Sequence, residues 1–277
     1  MQSKTSKQIR AMTECSIMIA LSTVLSIIKI IDMPYGGSVT IASMLPIVIA
    51  VYRHGAAWGI GTALVNSAIQ LLLGLNNLSY FTTWQSIVAI ILLDYIVAFS
   101  VFALAGVFKK IEKRQNYAIL YGIILCSVLR YACHVFSGAT LWAGLSIPTE
   151  AALLYSLSYN ATYMLPETIV LAAVGLYLTG VLDFRTNIPT RVKKMNLSPM
   201  EMYSTLGAGL CAVLTVILDV AFIFPYLQDP ESGEFVFSHL ADANLILIAV
   251  TTAVGILLTA LLIILSVIAK KKNKQRV

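Results

Sequence analysis

Residues 117–136 read YAILYGIILCSVLRYACHVF, a stretch long enough to cross the hydrocarbon core of a bilayer as one helix. Arg130 and His134 interrupt its apolar character, and Gly138 and Trp142 continue the same four-residue step, so all four lie on one helical face. An ionisable side chain at membrane depth costs about 2.5–3.5 kcal/mol on insertion scales, so it is retained where it has a partner or a function. The stretch therefore predicts a polar, aromatic pocket inside a lipid-embedded body.

The composition extends the membrane assignment to the whole chain. Hydrophobic residues make up 58% of its 277 residues and charged residues 12%, and the mean hydropathy is +0.85. These values predict an all-α integral membrane protein in three parts: a six-helix body (1–182), a basic linker (183–200) and a two-helix extension with a basic tail (201–277). The predicted spans are 11–31, 39–52, 56–76, 84–108, 117–137 and 149–181 in the body, and 202–226 and 241–269 in the extension.

The positions of lysine and arginine predict the orientation of the spans. Basic residues concentrate at the N-terminus, after the second, fourth and sixth spans and in the C-terminal tail, all on one side; Lys29 and Arg130 are the exceptions. Because cytoplasmic loops retain positive charge, both termini are predicted to be cytoplasmic in a multi-pass protein of the cell (plasma) membrane. This topology explains the net charge of +6 without a nucleic-acid partner. The basic tail also suits anionic lipid headgroups.

The sequence contains no motif for ATP hydrolysis or for the common hydrolases. It has no G-x-x-x-x-G-K-[ST] loop, no H-E-x-x-H and no G-x-S-x-G. Its four cysteines and three histidines show no paired spacing of a zinc or dithiol site. We therefore expect no metal, no cofactor and no enzymatic activity of its own.

Two further spans carry polar residues at membrane depth. Asp94 and Tyr95 lie within span four, where a carboxylate should face protein or water; it either pairs with Arg130 or contacts a ligand. Span six begins with LYSLSYNATYMLPE, residues 154–167, which is unusually polar for a helix in lipid. There Asn160, Tyr163 and Glu167 share one helical face, with Tyr155 about one and a half turns before Asn160. The amide of Asn160 suits the edge of a heteroaromatic ring, whereas Glu167, beside Pro166, is assigned a structural role.

These stretches resemble the thiamine-specific substrate-binding subunit (S-component) of energy-coupling factor (ECF) transporters. The resemblance covers about residues 10–182 and rests on RYACHVFSG (130–138) with Trp142 and on YSLSYNATYMLPE (155–167), supported by residues 36–40, 43–46 and 92–95. It implies a pocket that faces the extracellular side under the loop joining helices one and two. The thiamine-binding residues that it implies are Asp94, Tyr95, Arg130, His134, Gly138, Trp142, Tyr155 and Asn160, with Trp84 and Tyr35 as looser matches.

The chemistry of thiamine fits these residue types. Tyr95, Trp142 and Tyr155 can stack on its flat pyrimidine and offer its thiazolium cation–π attraction, worth about 0.5–2 kcal/mol each. Asp94 can offset the positive charge or accept the exocyclic amine, and Gly138 leaves room for a flat molecule. Arg130 would repel the thiazolium, so we expect it to hold Asp94 or to contact the hydroxyethyl end.

The resemblance also implies partners, namely a membrane coupling subunit and two ATPase subunits. Helix one of the S-component docks on the coupling subunit by small residues, and Ser16 and Ala20 form such a pair here, although internal packing explains them equally well. Other hypotheses are an S-component for another vitamin or a thiamine precursor, and a self-sufficient secondary transporter. A membrane enzyme lacks support, because no nucleophile–base pair is apparent.

The two-helix extension lies outside the resemblance. Ser198, Pro199 and Glu201 form a typical helix start, with serine as the cap and proline at the first helical position. Asp219 is predicted to be buried and to bond Thr215 or an internal helix. Extra scaffold, lipid binding and an effect on docking all remain open as the role of this extension.

Overall fold

The computed structural model describes residues 4–33, 36–80, 83–142, 150–192, 198–223, 226 and 241–274. The chain divides into two compact units, Met1–Val192 and Lys193–Val277. The helices of the first unit are α1 (Lys4–Ile27), α2 (Leu45–His54), α3 (Ala56–Leu73), α4 (Trp84–Lys110), α5 (Gln115–Trp142) and α6 (Glu150–Val181), with a short 3-10 helix at Leu75–Tyr80. Those of the second unit are α7 (Pro199–Ile223) and α8 (Leu245–Lys274).

The helix lengths confirm a multi-pass helical membrane protein. Within the described residues, α1, α3, α4, α5, α6 and α8 are long and apolar enough to cross a membrane. α2 has only 10 residues, which span about 15 Å, so it is too short to cross alone. All of Leu45–Tyr52 is buried. α2 is therefore the central helix of the first unit, which explains why it is hydrophobic on every side.

Two short hairpins depart from the all-helical prediction. β1 (Lys29–Asp32) pairs antiparallel with β2 (Ser38–Thr40), and β3 (Leu182–Asp183) pairs antiparallel with β4 (Thr190–Arg191). The first hairpin contains the last residues of predicted span 11–31 and the first residues of predicted span 39–52. The predicted end of the first span and the predicted start of the second were therefore wrong. Gly36, in its turn, has φ 96°, a backbone conformation that favours glycine.

Hydrogen bonds hold the first hairpin against α6. The backbone N–H of Gly37 donates to the hydroxyl of Tyr159 at 3.3 Å, and Thr40 Oγ1 donates to Glu167 Oε1 at 3.1 Å. A side chain at position 37 would collide with the ring of Tyr163. The hairpin therefore lies directly against the polar first half of α6.

α4 is irregular where its polar residues lie. Ile91–Val97 forms a π-helix and Val101–Lys110 a 3-10 helix, although the sequence predicted one regular helix over 84–108. π-helical turns hold an extra residue per turn and are often found at functional sites. Asp94 and Tyr95 both belong to the π-helical segment, so their side chains point in directions that a regular α-helix would not give them.

The second unit is a pair of helices joined by polar contacts. Ser198 Oγ accepts from the backbone N–H of Glu201 at 3.2 Å, which confirms the predicted cap of α7. Asp219 accepts from Thr251 at 2.9 Å and from Thr252 at 2.8 Å, both on α8. Its partner is therefore the neighbouring helix, and Thr215 instead donates to the carbonyl of Cys211.

Candidate functional site

A cavity of about 440 Å³ lies between the first hairpin, the C-terminal ends of α1 and α3, and the facing sides of α4, α5 and α6. Its volume falls in the range of about 300–1,000 Å³ that is usual for small-molecule sites. Seven of the ten predicted site residues line it, and they come from three different helices. They are Asp94, Tyr95, Arg130, His134, Gly138, Tyr155 and Asn160.

The ionisable residues of the cavity form a connected chain of contacts. His134 Nδ1 lies 3.1 Å from Asp94 Oδ1, and Arg130 Nε donates to His134 Nε2 at 3.3 Å. Because Nε2 accepts, a neutral ring carries its proton on Nδ1 and donates it to Asp94. Arg130 and Asp94 are thus linked through the imidazole.

The carboxylate partner of Arg130 is Glu167 and not Asp94, which was one of the two partners that the sequence left open. Arg130 Nη1 lies 3.3 Å from Glu167 Oε2, and the two side chains are only 11% and 7% exposed. Glu167 also lines the cavity, a position that the structural role assigned to it from the sequence did not include. Its place on the same helical face as Asn160 was the signal that could have identified it. The pair neutralises a charge that would otherwise be costly at this depth.

The tyrosines of α6 form an aromatic wall. Tyr155 and Tyr159 stack with ring centroids 6.2 Å apart and an interplanar angle of 5°. Tyr163 meets Tyr159 edge-on at 5.7 Å. All three rings line the cavity, although only Tyr155 was predicted. Tyr159 and Tyr163 were not predicted as site residues, because tyrosines near a membrane interface are usually interpreted as part of an aromatic belt.

Tyr95 is fixed from the opposite side of the cavity. Its hydroxyl donates to the carbonyl of Gly74 at 3.1 Å and accepts from Asn77 Nδ2 at 3.0 Å. Its ring stacks on Phe99 at 6.4 Å, and the guanidinium carbon of Arg130 lies 4.4 Å from the centroid of the Phe99 ring. Phe99 was missed by sequence reasoning because a phenylalanine in an apolar span carries no distinguishing signal.

Asn160 already bonds to protein groups in this structure. Its Oδ1 accepts from the hydroxyl of Tyr163 at 2.7 Å, and its Nδ2 donates to the carbonyl of Ser156 at 2.8 Å. The expected hydrogen bond to a ring edge would have to use the remaining lone pair of Oδ1 or displace one of these partners.

Four predicted site residues differ from the others in position or are only partly described: Gly138, Trp84, Trp142 and Tyr35. A side chain at Gly138 would collide with Ser156 Oγ, so this glycine permits α5 and α6 to approach closely, and it also lines the cavity. Trp84 is 70% exposed and is absent from the described lining of the cavity. Trp142 ends α5, but its side chain lies outside the described residues, as does the whole of Tyr35.

A comparison with known families decides what kind of protein this is. Residues 12–183 match the family model described as thiamine transporter protein (Thia_YuaJ). The chain belongs to this thiamine transporter family. The match contains every residue that lines the cavity and ends before α7, so α7 and α8 are not part of it.

Two proteins that are similar to this chain are both named ThiT. The thiamine transporter ThiT of Bacillus subtilis (strain 168) is 35% identical over 180 residues, which are 61% of this chain and 90% of the relative. A solved structure of ThiT from Listeria monocytogenes is 24% identical, with a TM-score of 0.49; the match covers 62% of this chain and 94% of that one.

Proposed function

We propose that this chain binds thiamine in the cavity between the first hairpin and α4–α6, and that it delivers the vitamin across the membrane as the S-component of an ECF transporter. The observation that carries the proposal is the charge balance of the cavity. Asp94 and Glu167 supply two carboxylates against the single permanent cation of Arg130, and Lys29 at the rim is paired with Asp32 at 2.9 Å. Among the described residues, and with the imidazole of His134 neutral, the site therefore holds one uncompensated negative charge, which matches the single positive charge of thiamine.

The contacts of Arg130 favour one placement of the vitamin. Its guanidinium is held by Glu167 and by the face of Phe99, so its charge is partly screened from the rest of the cavity. Within the described part of the chain, Asp94 pairs with His134 and with no lysine or arginine. We therefore place the thiazolium or the exocyclic amine on the side of Asp94, with Tyr155 offering an aromatic face.

The proposed thiamine contacts are the seven cavity-lining residues that the sequence indicated, with Glu167 as the neutralising partner of Arg130. Trp142 and Tyr35 remain predicted contacts. Trp84 remains a prediction of lower rank, because its exposed side chain would have to move to reach the cavity.

The coupling proposal is supported by the surface of α1. Ser16 and Ala20 are exposed, whereas Cys15 and Ser22 on the same helix are buried. The small-residue pair thus lies on the outer face of α1, which favours docking on a coupling subunit over internal packing. In this proposal the coupling subunit and two ATPase subunits supply the energy for transport.

The proposed orientation has both termini in the cytoplasm and the cavity at the extracellular end. The basic residues Arg10, Arg53 and Lys109 lie at the ends of α1, α2 and α4 that are remote from the cavity lining. Positive charge at that end is what the cytoplasmic side of a membrane protein retains.

Reconstitution separates this function from its alternatives. Proteoliposomes that contain the chain with a coupling subunit and two ATPases should accumulate radiolabelled thiamine only when ATP is supplied. Liposomes that contain the chain alone should not accumulate it. Accumulation by the chain alone would identify a secondary transporter, and competition by another vitamin better than by unlabelled thiamine would reassign the substrate.

A further inference from the structure

A second cavity lies at the opposite end of the first unit. It has a volume of about 210 Å³ and lies where the start of α1, the ends of α2 and α4 and the turn between β3 and β4 meet. We call it the basic pocket, because six of its lining residues have basic side chains. They are Lys7, Arg10, Arg53, His54, Lys109 and Arg185.

Arg53 is the buried centre of the basic pocket. Its side chain is 5% exposed, and its Nε and Nη2 donate to the two carboxylate oxygens of Glu14 at 2.9 and 3.1 Å. Its Nη1 donates to the carbonyl of Phe184 at 2.9 Å, and Nη2 donates to that of Asn187 at 2.9 Å. Arg53 therefore links α1, α2 and the turn between β3 and β4. Its N–H donors are occupied by these protein partners.

Glu14 is shared among several cations. It also accepts from Arg10 Nε at 3.0 Å and lies 2.7 Å from His54 Nε2. Arg185 is paired with Asp183 at 2.7 Å. The five permanent cations of the pocket thus face two carboxylates, and three positive charges are left without a counter-charge among the described residues.

Lys7 and Lys109 are the cations best placed to receive a ligand. Lys109 Nζ donates to the carbonyl of Arg53 at 3.1 Å and lies 5.1 Å from the centroid of the Tyr52 ring, so it has two further N–H donors. Neither lysine is paired with a carboxylate in the described part of the chain. Topology explains basic residues at this end of the helices, but it does not require them to converge on a cavity.

We propose that the basic pocket binds a phosphate group, presented by an anionic phospholipid headgroup or by a soluble phosphate at the membrane surface. The pocket includes the ends of α1 and α4, two helices that are long and apolar enough to cross a membrane, so we place it at the depth of lipid headgroups. Basic pockets between helices at this depth suit anionic headgroups, and lysine binds phosphate as a point charge. The ligand would connect Lys7 of α1 to Lys109 of α4.

The test compares the full-length chain with two matched double variants after delipidation. One is Lys7→Gln with Lys109→Gln, and the control is Lys271→Gln with Lys272→Gln, which removes the same charge from exposed positions of the tail. Phosphatidylglycerol, phosphatidylcholine or inorganic phosphate is added, and binding is measured by native mass spectrometry. Thiamine calorimetry checks that each variant is folded, and Lys109→Arg, which keeps the charge, should retain binding.

Wild type and the tail variant should bind phosphatidylglycerol in preference to phosphatidylcholine, and the pocket variant should bind it about thirtyfold more weakly. Competition by millimolar inorganic phosphate as strong as that by phosphatidylglycerol would assign the pocket to soluble phosphate. Equal phosphatidylglycerol binding by both double variants, or no binding by wild type, would overturn the proposal.

Discussion

Arg130 is the residue on which the charge balance of the cavity depends. Its N–H groups contact His134 and Glu167, and one face of the guanidinium lies over the ring of Phe99. A cation that is held in this way costs less at membrane depth and repels a cationic ligand less. Among the described residues, the two carboxylates Asp94 and Glu167 then leave one negative charge for the vitamin.

The substitution Glu167→Gln tests this balance. It keeps the shape of the side chain but leaves Arg130 unpaired, which should lower the free energy of unfolding by about 3–5 kcal/mol. The uncompensated positive charge should also weaken thiamine binding about tenfold or more. Thermal unfolding in detergent and thiamine calorimetry measure the two effects.

Glu112→Gln is the matched control, because Glu112 pairs with Arg114 in an exposed loop away from the cavity. Surface pairs contribute little, so both measurements should match those of wild type. If Glu167→Gln behaved like this control, the role of Glu167 would be refuted.

Sequence reasoning at this scale identified residues more reliably than their partners. Helical spacing placed Arg130 and His134 on one face, and both line the cavity. It could not show that Arg130 pairs with Glu167, 37 positions further along the chain, and not with Asp94. Partner choice depends on how two helices are rotated against each other, which single-helix periodicity does not contain.

At the scale of elements, close helix approach shapes the first unit. A side chain added at Gly122 of α5 would collide with the carbonyl oxygen of Ala105 in α4. Backbone atoms cannot rotate away as a flexible side chain can. The packing of α4 on α5, and with it the relation of Asp94 to His134, therefore depends on this glycine.

The pair Gly122→Ala and Gly61→Ala tests this dependence. Gly122→Ala should destabilise the protein by about 1–3 kcal/mol, because α4 and α5 must separate. Gly61 is exposed in α3 with no atom within 4 Å of an added Cβ, so Gly61→Ala should stabilise the helix by about 0.5–1 kcal/mol. Thermal unfolding in detergent reports both changes, and a neutral Gly122→Ala would contradict the packing described here.

Hydropathy predicted the long helices well, because a long apolar segment in lipid must satisfy its backbone hydrogen bonds internally, and a helix does so. It failed at the first hairpin, where residues 29–32 (KIID) and 38–40 (SVT) lie next to apolar runs but form strands. It also failed at the π-helical segment of α4, since no residue in Ile91–Val97 distinguishes π from α geometry.

At the scale of the whole molecule, the cavity belongs entirely to the first unit. All of its lining residues fall between Ser26 and Glu167, and the unit continues to Val192. The second unit has its own polar contacts between α7 and α8, including those of Asp219. Binding of the vitamin and the role of the second unit are therefore separable questions.

A chain that ends at Val192 should fold and bind thiamine with a dissociation constant within about twofold of that of the full chain. The reason is that the truncation removes no residue of the cavity lining. Size-exclusion chromatography checks folding, and calorimetry measures binding. A folded truncated chain without affinity for thiamine would show that α7 and α8 contribute to the site.

The central claim is that the cavity binds thiamine through Asp94 and its aromatic surroundings. Calorimetric titration of the purified full chain with thiamine tests it most directly, beside Asp94→Asn, Trp142→Ala and the control Asp183→Asn, whose carboxylate pairs with Arg185 outside the cavity. Wild type and Asp183→Asn should bind near the nanomolar range, about −12 kcal/mol, and the other two should lose that affinity. Folded wild-type protein that carries no co-purified thiamine and gives no binding heat would contradict the claim.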